Sequence, residues 1–475
     1  MRSAVSFGSL PPRPEMRYQS TRGDAPILNF SEALLAGLAS DGGLYVPMGR
    51  PRLEPDLGHY ADRPYAEVAA EVIALYAAPS IEVDTLNELT ARAYSTFRHE
   101  DVVPLRELGN GEYLLELFWG PTLAFKDVAL QLLGQLFSYE LERRGQSITI
   151  VGATSGDTGS AAIEACRDRD GIHLIMLHPK GRVSDVQRRQ MTTVQSRNIH
   201  NVAIDGTFDD CQDLVKELFA DHAFRADMRL SAVNSINWAR IVAQIVYYIT
   251  AAAKFGGSPV SFSVPTGNFA NVLAGHMARS MGLPIEQLII GSNRNNILSR
   301  FFNSGVMQIE GVEPSVSPAM DIQISSNFER VLFEAMDEVG HDVAEAMREF
   351  RATGMLPITS RTFSVLRGHF DAATLSDDQT KAVIAAVFAE HGLLVDPHTA
   401  VGLGAGRQMR RATGTPLISL ACAHPAKFAD TVFDATGVVP ELPGFLVDLH
   451  QRDERCDELA NSPADLKRYV SEVAG

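Results

Sequence analysis

Between Glu116 and Asp127 the chain reads Glu-Leu-Phe-Trp-Gly-Pro-Thr-Leu-Ala-Phe-Lys-Asp, which sets one amine, Lys126, just past a Gly-Pro-Thr turn and an apolar wall. Downstream, Val128, Ala129, Leu132, Leu133, Leu136 and Phe137 recur at helical spacing, so a helix is expected from about Asp127 to Glu142 with Lys126 at its junction with the loop. An amine held against Phe118, Trp119, Leu123 and Phe125 loses hydration. That disfavours its charged form and lowers its pKa toward what a Schiff-base nucleophile requires. The competing reading is a lysine whose stem covers apolar surface while its head stays in water.

Three further segments carry groups that bind anions. Val151-Gly152-Ala153-Thr154-Ser155-Gly156-Asp157-Thr158-Gly159-Ser160 follows an apolar strand and opens a small-residue helix, so amides and hydroxyls converge at a helix N-terminus. No Gly-Lys-Ser/Thr ending follows, which excludes a Walker-type loop, and a merely tight turn would look the same. Asn234-Ser235-Ile236-Asn237-Trp238-Ala239-Arg240 introduces the apolar helix 241–253, with Ser235 or Asn237 as its cap. Arg240 lies one to two turns in, where its fork can make paired hydrogen bonds to a phosphate, although a capped helix with one arginine is more often structural. Val264-Pro265-Thr266-Gly267-Asn268-Phe269-Ala270-Asn271 again passes from strand to helix; its glycine permits close backbone approach, and its successive amides form a cradle for a dianionic phosphate. The rival, a dinucleotide site, lacks its fingerprint, because Gly402-x-Gly404-x-Gly406 has the wrong spacing and context. His398 and His424 are scattered, which argues against a metal site.

The segment around Lys126 resembles the cofactor-lysine motif of the threonine synthases, pyridoxal phosphate (PLP) enzymes of fold type II, the tryptophan synthase beta-like fold, and similarity runs from Met16 to about Asp430. The resemblance implies that Lys126 carries the cofactor, that Gly267, Asn268, Phe269, Ala270 and Asn271 hold its phosphate, and that Asp157 lies against its ring oxygen. Cys422, in Cys422-Ala423-His424-Pro425-Ala426-Lys427-Phe428, stands where the family places a threonine at the pyridine nitrogen. The same resemblance makes Thr154, Ser155, Gly156 and Thr158 a loop for the substrate's carboxylate, and Ser235 and Arg240 the site for its phosphate, with Thr158 and Asn237 assisting. The implied reaction takes O-phospho-L-homoserine and water to L-threonine and phosphate, by a carbon-oxygen lyase acting on phosphates. Against the family pattern Trp119 replaces a histidine, Ala270 a glycine, Asn271 and Asn296 acidic residues, and Cys422 the threonine; these departures are expected to line the cofactor. They keep open a paralogue performing beta or gamma replacement or elimination on a related phosphorylated or acylated amino acid.

The elements that must position these groups alternate in type. Strand-length apolar runs at 147–151, 172–177, 202–204, 260–264, 288–290 and 417–421 are interleaved with helical periods at 160–167, 186–191 and 208–219, which argues for parallel strands with crossover helices. The expected class is α/β: two open, twisted, mostly parallel sheets flanked by helices, plus a helical N-terminal domain. Residues 1–15 read as a disordered extension, 16–106 as the N-terminal domain, 107–145 with 258–475 as the large PLP-binding domain, and 146–257 as the small substrate-binding domain. Within the N-terminal unit a helix is expected over 29–38, capped by Ser31 and stopped by Asp41-Gly42-Gly43, with further helices over 65–76 and 84–94. Residues after Asp448 read as a charged peripheral helix.

Composition bounds the partners. At 475 residues two or three cores are expected; no apolar run approaches a membrane span, and a formal charge of -16 disfavours nucleic acid and anionic membranes. Cys166, Cys211, Cys422 and Cys456 show neither disulfide nor metal spacing, so a reducing cytoplasm is the expected home. A small-molecule enzyme, monomeric or homodimeric, is the resulting expectation.

Overall fold

The computed structural model describes residues 15–231 and 236–475. Two sheets form its frame. The larger has six strands in the order Asp371–Thr374, Ile285–Ser292, Val260–Pro265, Leu417–Ala421, Glu112–Glu116, Leu105–Gly109, all parallel except the last pair. The smaller has five parallel strands in the order Asp457–Leu459, Ile199–Ile204, Ile172–Pro179, Ile148–Ala153, Leu230–Ser231. The inner strands are buried along most of their length, polar residues such as Ser261 and Ser263 included. Ligands of such sheets bind beyond the carboxyl ends of the strands, where the chain leaves each strand for a helix.

Register decides what meets there. Leu417–Ala421 lies between Glu112–Glu116 and Val260–Pro265, with Ala421 opposite Glu116 and Ile418 opposite Phe262. Three adjacent strands therefore deliver the Lys126 loop, the Cys422 segment and the Gly267 loop to one edge. The helix Lys126–Arg144 is buried along most of its length, as expected of a helix apolar around much of its circumference, and Gly145 closes it in the left-handed region at φ 60°.

Several expectations are corrected. The first N-terminal helix is Phe30–Ala36, and its cap is Asn29, in a reciprocal box with Glu32. Ser31 is instead buried and donates to Glu140 Oε1 at 2.7 Å, tying this helix to the one that begins at Lys126. The helix Trp238–Ala253, expected in the small domain, packs against Lys126–Arg144, Tyr65–Ala77 and Ala270–Ser280. The tail is not peripheral: Asp457–Leu459 adds an edge strand to the smaller sheet, and Pro463–Ala474 buries Leu466 and Val470 in that sheet's core with Leu214 and Leu218. The boundary that assigned all of 258–475 to the large domain is thus crossed by the chain's own end. Deleting residues 457–475 should cost roughly 3–6 kcal/mol from those two side chains alone, read as a lower melting temperature.

Candidate active site

Lys126 is placed by the turn before it. Asp127, wholly buried, accepts from Thr122 N (2.8 Å) and Thr122 Oγ1 (2.6 Å), and a side chain at Gly120 would collide with its Cβ at 2.4 Å, which is why the turn needs glycine. Burial pushes the Asp127 carboxyl up to about 6. The loop is then stitched to the neighbouring strand end: Phe125 N donates to Cys422 O (2.8 Å) and His424 N to Leu123 O (3.0 Å). Lys126 keeps 12% of its side chain exposed, with Nζ 3.7 Å from Asp157 Oδ2 and 5.4 Å from the Phe125 ring centroid.

Asp157 opens the helix after the strand Ile148–Ala153 and reaches across from the smaller sheet. Its Oδ1 accepts from Gln187 Nε2 at 2.7 Å and lies 2.8 Å from Lys427 Nζ. Burial alone would raise its pKa; Lys427, then Lys126, overcome that and hold the carboxyl well below the usual range. Burial depresses the Lys126 amine, Asp157 opposes the shift, and Lys427 and Arg240 reinforce it. The pair favours a partly dehydrated amine beside a fixed negative charge.

The remaining expected residues divide by what occupies them. Arg240 is 3% exposed, and its Nε and Nη1 have no hydrogen-bond partner among the described residues; burial lowers its pKa to about 10. Asn271 is buried, its Oδ1 accepting from Tyr247 (2.5 Å) and Tyr248 (3.0 Å) hydroxyls while Nδ2 is unpartnered. Phe269, at φ 67°, turns its ring into a cluster with Phe302, Phe328 and Phe370, so only its backbone faces the loop. Gly267 lies against the backbone of Ala319 and Met320, while Asn268 and Ala270 flank Phe269 at the opening of the helix Ala270–Ser280, whose first amides lack intrahelical partners. Ser155 is exposed and Thr158 half-buried; Gly156, at φ 145°, lies so close on the Gln187 amide that any Cβ would sit 2.5 Å from it. Cys422 is buried, with its N–H on Thr399 Oγ1 (3.1 Å), and burial pushes its thiol up.

Two expected substrate contacts are committed elsewhere. Thr154 Oγ1 accepts from the amides of Gly156 (3.0 Å) and Gly159 (2.8 Å), so it shapes the loop. Asn237 caps its helix through Ala239 N and donates to Leu34 O at 2.8 Å, tying the Arg240 helix to the N-terminal unit. Ser235 lies outside the described residues. Of the departures, Asn296 does not join the Lys126 cluster; it accepts from Arg300 Nε in a groove beside the edge strand, with Ser299 and Thr374. Trp119 turns its Nε1 to Glu116 (2.9 Å) and its ring toward His99.

Sequence reading missed Lys427 and Gln187. Lys427 lay within a quoted motif, but its partner Asp157 is 270 positions away and no local signal joins them. The two histidines are structural. His398 donates from Nδ1 to Asp396 Oδ1 (2.8 Å) and accepts from Ala319 N (3.2 Å); His424 accepts from Ala426 N (3.2 Å). Among the described residues no group of His, Cys, Asp and Glu could hold a metal, and no helix is long and apolar enough to cross a membrane.

Comparison with known proteins gives this arrangement a lineage. Residues 99–416 match the family described as pyridoxal-phosphate dependent enzyme, 17–94 the threonine synthase N terminus and 399–470 the threonine synthase C-terminal family. Threonine synthase of Pseudomonas aeruginosa is 50% identical over 461 residues, 96% of this chain and 98% of that protein. The crystal structure of PLP-bound threonine synthase from Brucella melitensis superposes with a TM-score of 0.94 at 48% identity, covering 97% of this chain and 99% of that one. The yeast threonine synthase structure gives 0.92 at 37% identity over the same shares. The fold is therefore PLP-dependent fold type II, and the chain belongs to the threonine synthase family.

Proposed function

We propose that this protein converts O-phospho-L-homoserine and water to L-threonine and phosphate, with PLP as cofactor, as a carbon-oxygen lyase acting on phosphates. The observation that carries the reading is one buried lysine beside a charged carboxylate, facing a buried arginine with unfilled donors, in a chain half identical to a threonine synthase. The residues present fit the cofactor. Lys126 offers a desolvated amine, the 267–271 amides offer a phosphate cradle at a helix start, and the unpartnered Asn271 Nδ2 is a spare donor beside it. Cys422 would meet the ring nitrogen, where a thiol donates a weaker hydrogen bond than a hydroxyl. Four unpaired cysteines fit a reducing cytoplasm.

When bound, PLP supplies an electron sink for carbanion chemistry at the substrate. Lys126 then moves protons at the substrate's alpha and beta carbons, burial disfavouring its charged form and so easing its role as base. Ser155, Gly156 and Thr158 receive the carboxylate at their helix start. Arg240 holds the phosphate as it departs from the gamma carbon, with Ser235 assisting, so that charge is stabilised where it develops. The pair of Asp157 with Lys427 joins the two sheets over the site, and Gln187 holds Asp157 from its own side.

Incubation of the PLP-loaded protein with O-phospho-L-homoserine tests the reading. Threonine as the chromatographic product supports it; a keto acid, or no reaction in a visibly yellow protein, overturns it. The departures need no second substrate, because Trp119 is turned onto His99 and Glu116, and the Asn271 carbonyl is held by two tyrosines while its Nδ2 stays free to donate. The combined change Trp119→His, Asn271→Asp, Cys422→Thr is accordingly expected to leave threonine formation at or below the wild-type rate; a large gain would mean the natural substrate has drifted.

A further inference from the structure

Lys427 is 2% exposed, and its Nζ makes two contacts: it donates to Thr122 O (2.7 Å) and pairs with Asp157 Oδ1 (2.8 Å). The first contact fixes the turn that precedes Lys126. The second offsets the carboxylate whose other oxygen lies 3.7 Å from Lys126 Nζ. Each member of this pair offsets part of the cost of burying the other. We infer that Lys427 is a positioning residue which, by pairing with Asp157, sets the negative potential at Lys126 and with it the pH at which the cofactor-bearing nitrogen loses its proton. This rests on the reading of Lys126 as the cofactor's lysine and adds a second lysine that tunes the first.

The groups acting on Lys126 are Asp157, Lys427, Arg240 and the Cys422 thiol. Arg240 and Cys422 stay constant when only the Asp157–Lys427 pair is altered, so a charge balance follows. Without Lys427 the Asp157 charge is uncompensated and the Lys126 nitrogen holds its proton more tightly. With Asp157 made neutral, Lys427 and Arg240 act alone and the proton is released earlier. With both changes the net charge of the pair returns to zero.

The test loads PLP onto the wild type, Lys427→Met, Asp157→Asn and the double variant, and titrates the visible band of the lysine-bound cofactor against pH. Lys427→Met is expected to raise the midpoint by about one pH unit or more, and Asp157→Asn to lower it by a similar amount. The double variant is expected to return to the wild-type midpoint. Each single variant reports by itself, so poor folding of one leaves the other decisive. Unmoved midpoints, shifts of the same sign, or a double variant that fails to return overturn the role of Lys427 alone. A wild-type protein with no borohydride-sensitive band overturns the functional reading and this inference together.

Discussion

Lys126→Ala is expected to remain folded and to lose its chemistry: no visible band survives desalting after incubation with PLP, and turnover falls by about 10²- to 10⁴-fold for the lost proton transfers alone. The folding half of this expectation comes from the contacts. Lys126 approaches Asp157 at only 3.7 Å, while Asp157 keeps a closer ion pair with Lys427 and a hydrogen bond from Gln187. Removing Lys126 therefore strands no buried charge. It also removes an amine that burial already holds partly toward its neutral form. A melting temperature close to wild type, with the colour gone, separates a lost cofactor bond from a lost fold. Partial return of activity on adding a small primary amine would locate the loss at the missing amine. A variant that kept its yellow band through desalting would show that another lysine bears the cofactor, and Lys427, the nearest buried amine on Asp157, would be the one to change next.

The strand-turn-helix units were legible because each writes its own signal locally: an apolar run, then glycine or a small polar residue, then helical period. The 260–265 strand with its Gly267 turn, and the 148–153 strand with its Gly156 turn, were read to within two or three residues at each end. What a polar side chain does once the helix has formed was not legible. Thr154 and Asn237 carry hydroxyl and amide groups suited to a substrate, and both turn back onto backbone of their own loops. Short polar side chains close to a helix start commonly satisfy the helix first. The tail strand was hidden for another reason: Asp457, Glu458 and Leu459 have no strand pattern, and only the exposed edge of Ile199–Ile204 makes them one. Likewise Asn296 shares a character with Asn271 in sequence but follows a different strand, and its groove opens beside Thr374 at the sheet's edge.

Arg240→Met is expected to leave the cofactor-free protein as stable as the wild type or more so, while removing the part of its response to phosphate that the Arg240 donors supply, beyond that of the 267–271 cradle. The guanidinium is 3% exposed, and two of its three nitrogens have no partner among the described residues. Its pKa, lowered by burial to about 10, lies below the value for an exposed arginine. The sign follows from that order. A base whose folded pKa is below its unfolded one penalises the folded state at every pH beneath the folded value, and the penalty is relieved only as pH rises past it. Throughout the neutral range the free protein thus carries a buried cation without a full set of acceptors. Exchanging buried ionic groups for apolar ones of similar size is often neutral or stabilising by about 1–4 kcal/mol. Filling the same donors with an anion should do the reverse to the wild type: inorganic phosphate at about 100 times its dissociation constant would add about 2.7 kcal/mol of stability. Thermal melts of both proteins with and without phosphate read the difference. A wild type that phosphate stabilises more than it does the Met variant makes Arg240 a ligand group kept waiting. An Arg240→Met protein that melts far below the wild type would instead make the arginine a structural element, and the departing phosphate would need another partner.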